Sequence, residues 1–304
     1  MERTTRMDHV AHQVTFPSDG ETLAGLLFTP ERRPDGRLPA VAVAGGQTCV
    51  KEQMARVYAE RLAGRGFAAL AFDFRGYGES TGVPRDYESP SRKVEDIRSA
   101  VDFLAGQPGL DPGRLATLGI GVGAGYVAVE AAGDDRVRAL ALVAPGLQDP
   151  EIVEARYGGA EGLAERIARG EAARRRYEQT GQVDYEPVVT RKDPAPMTDY
   201  FLNPDRGGVA RWSNRFAVMA WPEWLAFDPI GAASRITTPT LMVHSADATL
   251  PEGARRFFGR LAGPRTELWT SGVQFDFYDR ERQVTAAVDA IVDHLAATFA
   301  RITR

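Results

Sequence analysis

Apolar and polar positions alternate weakly over residues 9–16 and 23–29, on either side of Pro17-Ser18-Asp19-Gly20. This predicts a β-hairpin-like pair. Residues 39–43 form a short buried strand running into Ala44-Gly45-Gly46. Over residues 51–62, Met54, Val57, Tyr58 and Leu62 share one face opposite Lys51, Glu52, Arg56 and Glu60, which is helical spacing. The run GFAALAFDF at 66–74 reads as a strand covered on both faces. Ser89-Pro90 is a helix start, followed by a stripe of Val94, Ile97, Val101 and Leu104. A strand at 114–119, a helix at 122–132 and a buried strand at 137–143 come next.

Strand and helix have then alternated three times, which calls for a mostly parallel, eight-stranded α/β sheet with helices on both faces. The rhythm stops between about 148 and 233, where charge and aromatics rise. This stretch holds an Arg/Glu-rich helical segment at 151–178, a Pro-punctuated part, and an aromatic segment at 211–225 with Trp212, Trp221 and Trp224. It reads as a helical cap insertion at 148–233, dividing a core of 1–147 and 234–304. The rhythm resumes with a strand at 240–245, a helix at 252–261 and a strand at 266–270. The closing helix at 282–302 carries Val284, Val288, Ile291, Val292, Leu295 and Phe299 on one face.

Composition narrows the function classes. The chain has 304 residues, a net charge of −4, one Cys (Cys49) and four His: His9, His12, His244 and His294. The charge favours neither nucleic acid nor an acidic membrane surface. A single Cys excludes an intramolecular disulfide and a multi-Cys zinc site, so no metal is expected. The N-terminus is polar, and no run approaches the roughly 18 apolar residues of a membrane span. A cytoplasmic protein is expected, with abundant Arg, Ala and Gly suggesting a bacterial source.

Two motifs give the pattern a family likeness. Asp73-Phe74-Arg75-Gly76-Tyr77-Gly78-Glu79-Ser80 looks like the D-x-R-G-x-G-x-S loop of the α/β-hydrolase superfamily. Gly119-Ile120-Gly121-Val122-Gly123 sits where that superfamily has its nucleophile elbow. With the antiparallel start, the cap after the sixth strand and the final helix, the chain resembles an α/β-hydrolase throughout its core. Lys51-Glu52-Gln53 and the segment from Gln274 to Asp279 are similar to bacterial dienelactone-hydrolase-like and peptidase-like members.

The resemblance implies a nucleophile at 121, an acid after the strand 240–245 and a base after the strand 266–270. Gly121 has no side chain, so it forms no acyl-enzyme; Gly also accepts the strained elbow conformation at little cost. Asp247 fits the acid. Gln274 stands in place of the base and cannot accept a proton near neutral pH. His244 lies three residues before Asp247, and the other His lie on the first strand or last helix. The expected remaining machinery is an oxyanion hole from the Val122 N–H and one N–H of the loop Gly45-Gly46-Gln47-Thr48, with Gln47 the candidate donor. The start of a helix at Val122 favours developing negative charge there.

Catalytic candidates are therefore Asp247, Gln274, Val122 and Gln47. Substrate contacts are expected from Gly121, Thr48, Cys49, Tyr77, Tyr126, Trp212, Phe216 and Trp221, although aromatics at such spacing also pack caps onto cores. Cys49, two residues before Lys51, is either a relocated nucleophile with a lowered pKa or a small loop-lining residue. The run GIGVGAG matches a dinucleotide fingerprint, but it is not at the first βα turn and no acid ends the next strand, so no cofactor is expected. The Arg-rich stretch 166–176 reads as a solvated helix face. The expected partner is a small-molecule substrate, without nucleic acid or membrane, and with a homodimer as the only protein association considered.

Three functions remain. One is non-hydrolytic chemistry (elimination, cyclisation or isomerisation) on a carbonyl-containing metabolite in a bacterial biosynthetic pathway. The second is residual hydrolysis by Asp247-activated water or Cys49. The third is ligand binding without turnover.

Overall fold

The computed structural model describes residues 9–32 and 36–302. The chain opens with β1 (His9–Ser18) and β2 (Glu21–Pro30), an antiparallel pair closed by Asp19-Gly20. Both turn residues have positive φ, 45° and 82°, as an Asp-Gly hairpin turn requires. Next come β3 (Leu38–Ala44), α1 (Met54–Ala63), β4 (Ala68–Phe72), α2 (Pro90–Ala105), β5 (Leu110–Ile120), α3 (Gly123–Ala131) and β6 (Val137–Val143). An inserted stretch holds α4 (Pro150–Arg156), α5 (Gly159–Thr180), β7 (Tyr185–Glu186), α6 (Ala195–Phe201), β8 (Phe216–Ala217), α7 (Trp221–Leu225) and α8 (Pro229–Ala232). The chain then returns through β9 (Thr240–Ser245), α9 (Pro251–Arg260), β10 (Arg265–Thr270), α10 (Asp276–Asp279) and α11 (Glu281–Ile302).

The main sheet has eight strands in the order β1-β2-β4-β3-β5-β6-β9-β10. β2 runs antiparallel to β4, and every pairing from β4 to β10 is parallel. This is the α/β-hydrolase architecture. Side chains of the inner strands divide between two cores. Leu38, Ala40 and Ala42 of β3 join the core under α2 and α3, while Val41 and Val43 join the one under α1 and α11. That division explains why β4 and β6 read as continuous apolar runs. From β3 the chain turns to one side, to β4, and from β5 to the other, to β6. The loops after β3 and β5 therefore meet at the switch point, where ligands bind in open α/β sheets.

Three local differences from the sequence expectation have physical causes. Helix α1 starts at Met54 rather than 51, because the Lys51 N–H donates to the Asp73 carboxylate (2.7 Å) and the Val50 N–H to the Gln53 side chain (3.0 Å). The segment expected as one helix over 151–178 is two, α4 and α5, broken where Gly158 and Gly159 take positive φ of 89° and 72°. The aromatic segment at 211–225 is helical only in its second half: 211–215 are irregular, β8 pairs with β7, and a 3-10 turn at Val218–Ala220 leads into α7. Ser89 caps α2 as its sequence suggests, accepting from the Arg92 N–H.

The inserted stretch does not stand apart from the core. Ile152, Val153, Trp224, Leu225 and Ile230 belong to the same hydrophobic cluster as α2 and α3. Among the described residues, no helix is long and apolar enough to cross a membrane.

Candidate active site

The turn between β5 and α3 has the geometry of a nucleophile elbow. Gly121 takes φ +60°, its N–H donates to the Val143 carbonyl (2.9 Å), and its carbonyl accepts from the Gly146 N–H (3.0 Å). The flanking glycines are required by close approach. A Cβ at Gly119 would run into the Ala124 backbone, and one at Gly123 into the Gly45 carbonyl. A Cβ at Gly121 itself would lie 2.5 Å from the Tyr278 hydroxyl. A side chain at 121 would therefore meet the Tyr278 phenol.

Tyr278 is held firmly. Its ring meets Tyr200 (5.0 Å between centroids) and Phe275 (5.4 Å). Its oxygen accepts from Gln274 Nε2 at 3.0 Å. Gln274 is fully engaged: Nε2 also donates to the Ala144 carbonyl (2.9 Å), and Oε1 accepts from the Thr249 N–H (2.9 Å). Burial pushes the Tyr278 phenol well above its ordinary pKa.

These groups open onto a cleft of about 400 Å³. Gln47, Cys49, Val122 and Gly146 line it from the core. Arg156, Val188, Pro194, Pro196, Met197 and Phe201 line it from the inserted stretch, Asp247, Thr249, Gln274 and Phe275 from the loops after β9 and β10, and Tyr278 from α10. Among the described residues, the N–H groups of Val122 and Gln47 have no acceptor. Asp247 is exposed on the cleft wall and its carboxylate has no partner there. It shares no hydrogen bond with Gln274.

The four catalytic candidates thus share one cleft, as does Cys49. The Cys49 thiol, however, is buried, donates to the Gln47 carbonyl at 3.2 Å, and is pushed up to about 12 chiefly by burial. Lys51 does not activate it. The Lys51 ammonium is tied instead to Asp73 and Glu79 (2.7 Å each) and Glu52 (2.9 Å). These three carboxylates lie close enough together to share a cation, and the ammonium already serves them.

The remaining expected contacts lie elsewhere. Gly121 and Thr48 are adjacent to the cleft but do not line it. Tyr77 and Tyr126 are buried behind the loop at 45–51, where both hydroxyls donate to Glu88. Glu88 also accepts from the Thr48 N–H (2.9 Å) and pairs with Lys93 (2.7 Å), whose ammonium sits 4.5–5.1 Å from the rings of Phe74, Tyr77 and Tyr126. Thr48 has φ +56°, so this buried carboxylate holds the loop in a left-handed conformation. Trp212 stacks on Phe201 (5.0 Å), one ring back from the cleft. Phe216 packs on Trp221 (4.9 Å), and the Trp221 indole donates to Glu186 (2.7 Å). These aromatics pack the inserted stretch, which lines the cleft instead through Arg156, Val188, Pro194, Pro196, Met197 and Phe201.

His244 is buried, stacked on Trp269 (5.2 Å), with Nδ1 accepting from the Ser245 N–H (2.9 Å). Burial, aided by Arg255, pushes it down to about 4, so it is neutral near pH 7. Sequence reasoning missed Tyr278. Its signal was its place four residues after Gln274, one helical turn on.

Residues 40–270 match the family described as "Serine aminopeptidase, S33". The chain is 30% identical over 299 residues to the uncharacterised protein PA2218 of Pseudomonas aeruginosa, covering 91% of this chain and 78% of that protein. The crystal structure of PA2218 superposes with a TM-score of 0.86 at 25% identity, covering 98% of this chain and 99% of the other. A thiohydrolase of Eupenicillium brefeldianum is 28% identical over 269 residues, 82% of this chain and 81% of its own length. The polyketide transferase claH of Penicillium crustosum is 27% identical over 266 residues, 81% of this chain and 84% of its own.

Proposed function

Because the chain belongs to the serine aminopeptidase S33 family of α/β-hydrolases, we propose that it is an enzyme which keeps that family's carbonyl-binding apparatus and works without an acyl-enzyme. Its triad is degenerate: Gly121 and Gln274 stand in place of nucleophile and base. The substrate is a small carbonyl-containing metabolite with apolar substituents. Its carbonyl oxygen is held by the Val122 and Gln47 N–H groups, and Asp247 moves a proton on the adjacent carbon. The reaction class is isomerisation, elimination or cyclisation, by a route in which Asp247 takes the α-proton and the resulting enolate is stabilised at the oxyanion hole.

The observation that carries this reading is the Tyr278 hydroxyl at 2.5 Å from where a Cβ at 121 would stand, beside two backbone donors that have no acceptor. The nucleophile position is filled while the oxyanion donors remain free. Relatives named as a thiohydrolase and a polyketide transferase support an acyl-type substrate and a biosynthetic setting. The thiohydrolase and the unpartnered Asp247 carboxylate favour a second reading, thioester hydrolysis by water activated at Asp247.

A 3-oxoacyl thioester of N-acetylcysteamine separates the two. In deuterated water, NMR reads exchange at the α-carbon while a thiol reagent reads hydrolysis. The expected result is catalysed exchange without thiol release, reduced by roughly 10²–10⁴ in Asp247→Asn. Thiol release outrunning exchange overturns the proposal in favour of the hydrolase; neither signal leaves a binding protein. A fluorophosphonate probe should leave the protein unlabelled.

A further inference from the structure

We propose that the Tyr278 hydroxyl is a catalytic residue, a third hydrogen-bond donor to the substrate oxygen on which negative charge develops. This rests on the reading of the cleft as a carbonyl-polarising site, and it assigns chemistry to the group that fills the nucleophile's place.

Gln274 dictates which way the phenol works. Its amide orientation is fixed from both ends, with Nε2 donating to the Ala144 carbonyl (2.9 Å) and Oε1 accepting from the Thr249 N–H (2.9 Å). Nε2 therefore faces Tyr278 as a donor, at 3.0 Å. An amide NH₂ offers no lone pair to a phenol, so the Tyr278 proton is not used there. Among the described residues no other group accepts it. The phenol oxygen is thus supplied with a hydrogen bond, while its own hydrogen is left for something in the cleft that it lines.

Distance places that hydrogen usefully. The hydroxyl lies 2.5 Å from the position of a Cβ at 121, close to where a nucleophile oxygen would end. In an acyl-transfer site, the reacting group sits about 3 Å from both the nucleophile and the oxyanion donors. An oxygen bound between the Val122 and Gln47 N–H groups is then within hydrogen-bonding reach of the phenol. The ring has little freedom to swing away, being wedged between Tyr200 (5.0 Å) and Phe275 (5.4 Å). Burial keeps the phenol protonated, so it acts as a donor and neither as nucleophile nor as base.

The test uses 4-nitrophenol as the probe, because its anion mimics an enolate and absorbs differently from the neutral form. Bound phenolate is titrated spectrophotometrically in the wild type and in Tyr278→Phe, with 4-nitroanisole as a neutral isostere. The wild type should bind the phenolate in preference to the anisole. Tyr278→Phe, which keeps the ring, should weaken phenolate binding by about tenfold or more, as loss of a charge-assisted hydrogen bond does. Anisole binding should change little. Fluorotyrosine at 278, a stronger donor of the same shape, should lower the bound probe's pKa further, and it decides the matter if the Phe variant folds poorly. Phenolate affinity unchanged in Tyr278→Phe, or a bound pKa unmoved by fluorotyrosine, overturns the role of Tyr278 and leaves the carbonyl-polarising site standing. A wild type with no preference for phenolate overturns both.

Discussion

The loop at 45–51 separates two regions of opposite character. On the cleft side, Gly121 has no side chain, Gln274 is neutral, the Cys49 thiol is protonated and Asp247 stands without a partner. Behind the loop, Glu88, Lys93, Asp73 and Lys51 are buried, charged and paired, and Arg75 is bound to Asp96 (2.7 Å). The rear groups hold backbone. Asp73 accepts from the Lys51 and Glu79 N–H groups, Glu88 from that of Thr48, and Asp96 from that of Arg75. Of the cleft groups, Gln274 also holds backbone, at the Ala144 carbonyl and the Thr249 N–H, while Gly121 and Asp247 hold none through a side chain among the described residues. Residues that position chain carry several partners each and cannot be exchanged singly, whereas residues that serve a reaction can be replaced without loss of the fold.

The sharpest way to break this comparison is Glu88→Gln. It leaves the Lys93 ammonium buried without its counter-charge, and unpairing a buried ion pair costs about 3–5 kcal/mol. Chemical denaturation should show a loss of that size; a loss below about 1 kcal/mol would remove the contrast. Gly121→Ala comes next. A left-handed Ala costs about 1–2 kcal/mol and the encounter with the Tyr278 hydroxyl about 1–3 more. Pairing it with Tyr278→Phe should recover part of the steric portion, which a double-mutant cycle reads as coupling. A ring carbon would still lie 3.3 Å from the new Cβ, so recovery is incomplete.

The smallest effect is a pH slope at His244. Its folded pKa is depressed to about 4, below the ordinary 6.5. The unfolded chain therefore binds the proton first, and stability falls as pH drops from 6.5 towards 4. One unit below 6.5 the loss is about 1.4 kcal/mol. The difference in unfolding free energy between wild type and His244→Phe should narrow by that amount between pH 7.5 and 5.5; a constant difference would show that His244 is not neutral by burial.

Much of this was legible in the sequence for the same reason that the rear region resists change. Continuous apolar runs at β4 and β6 announce strands covered on both faces, and Ser89-Pro90 announces α2, because local pattern and tertiary environment agree there. The motif from Asp73 to Ser80 was readable as a family mark, but its work as a backbone clamp was not, since Asp73 and Lys51 meet only in the fold. The cleft was half legible. Gly121 and Gln274 stand out only against the family resemblance, which implies a nucleophile and a base at those positions. Tyr278 is a presence that requires three dimensions, because its hydroxyl reaches the turn after β5 from a helix more than 150 residues later. Aromatic spacing misled in the inserted stretch: Phe216 packs on Trp221, Trp212 stacks on Phe201 and the Trp224 indole donates to Tyr157, so these rings are spent on packing rather than on the cleft wall.

The phenol over Gly121 also orders the steps by which an esterase can be rebuilt on this scaffold. A library that varies only position 121 searches a closed door, since every side chain there meets the same oxygen. Changing 274 first gains nothing either, because a His at that position would have no nucleophile to activate. Position 278 must be cut back before 121 can carry a serine, and 274 follows last. A laboratory selection for ester cleavage should therefore yield its first improved clones only from libraries in which 278 and 121 vary together.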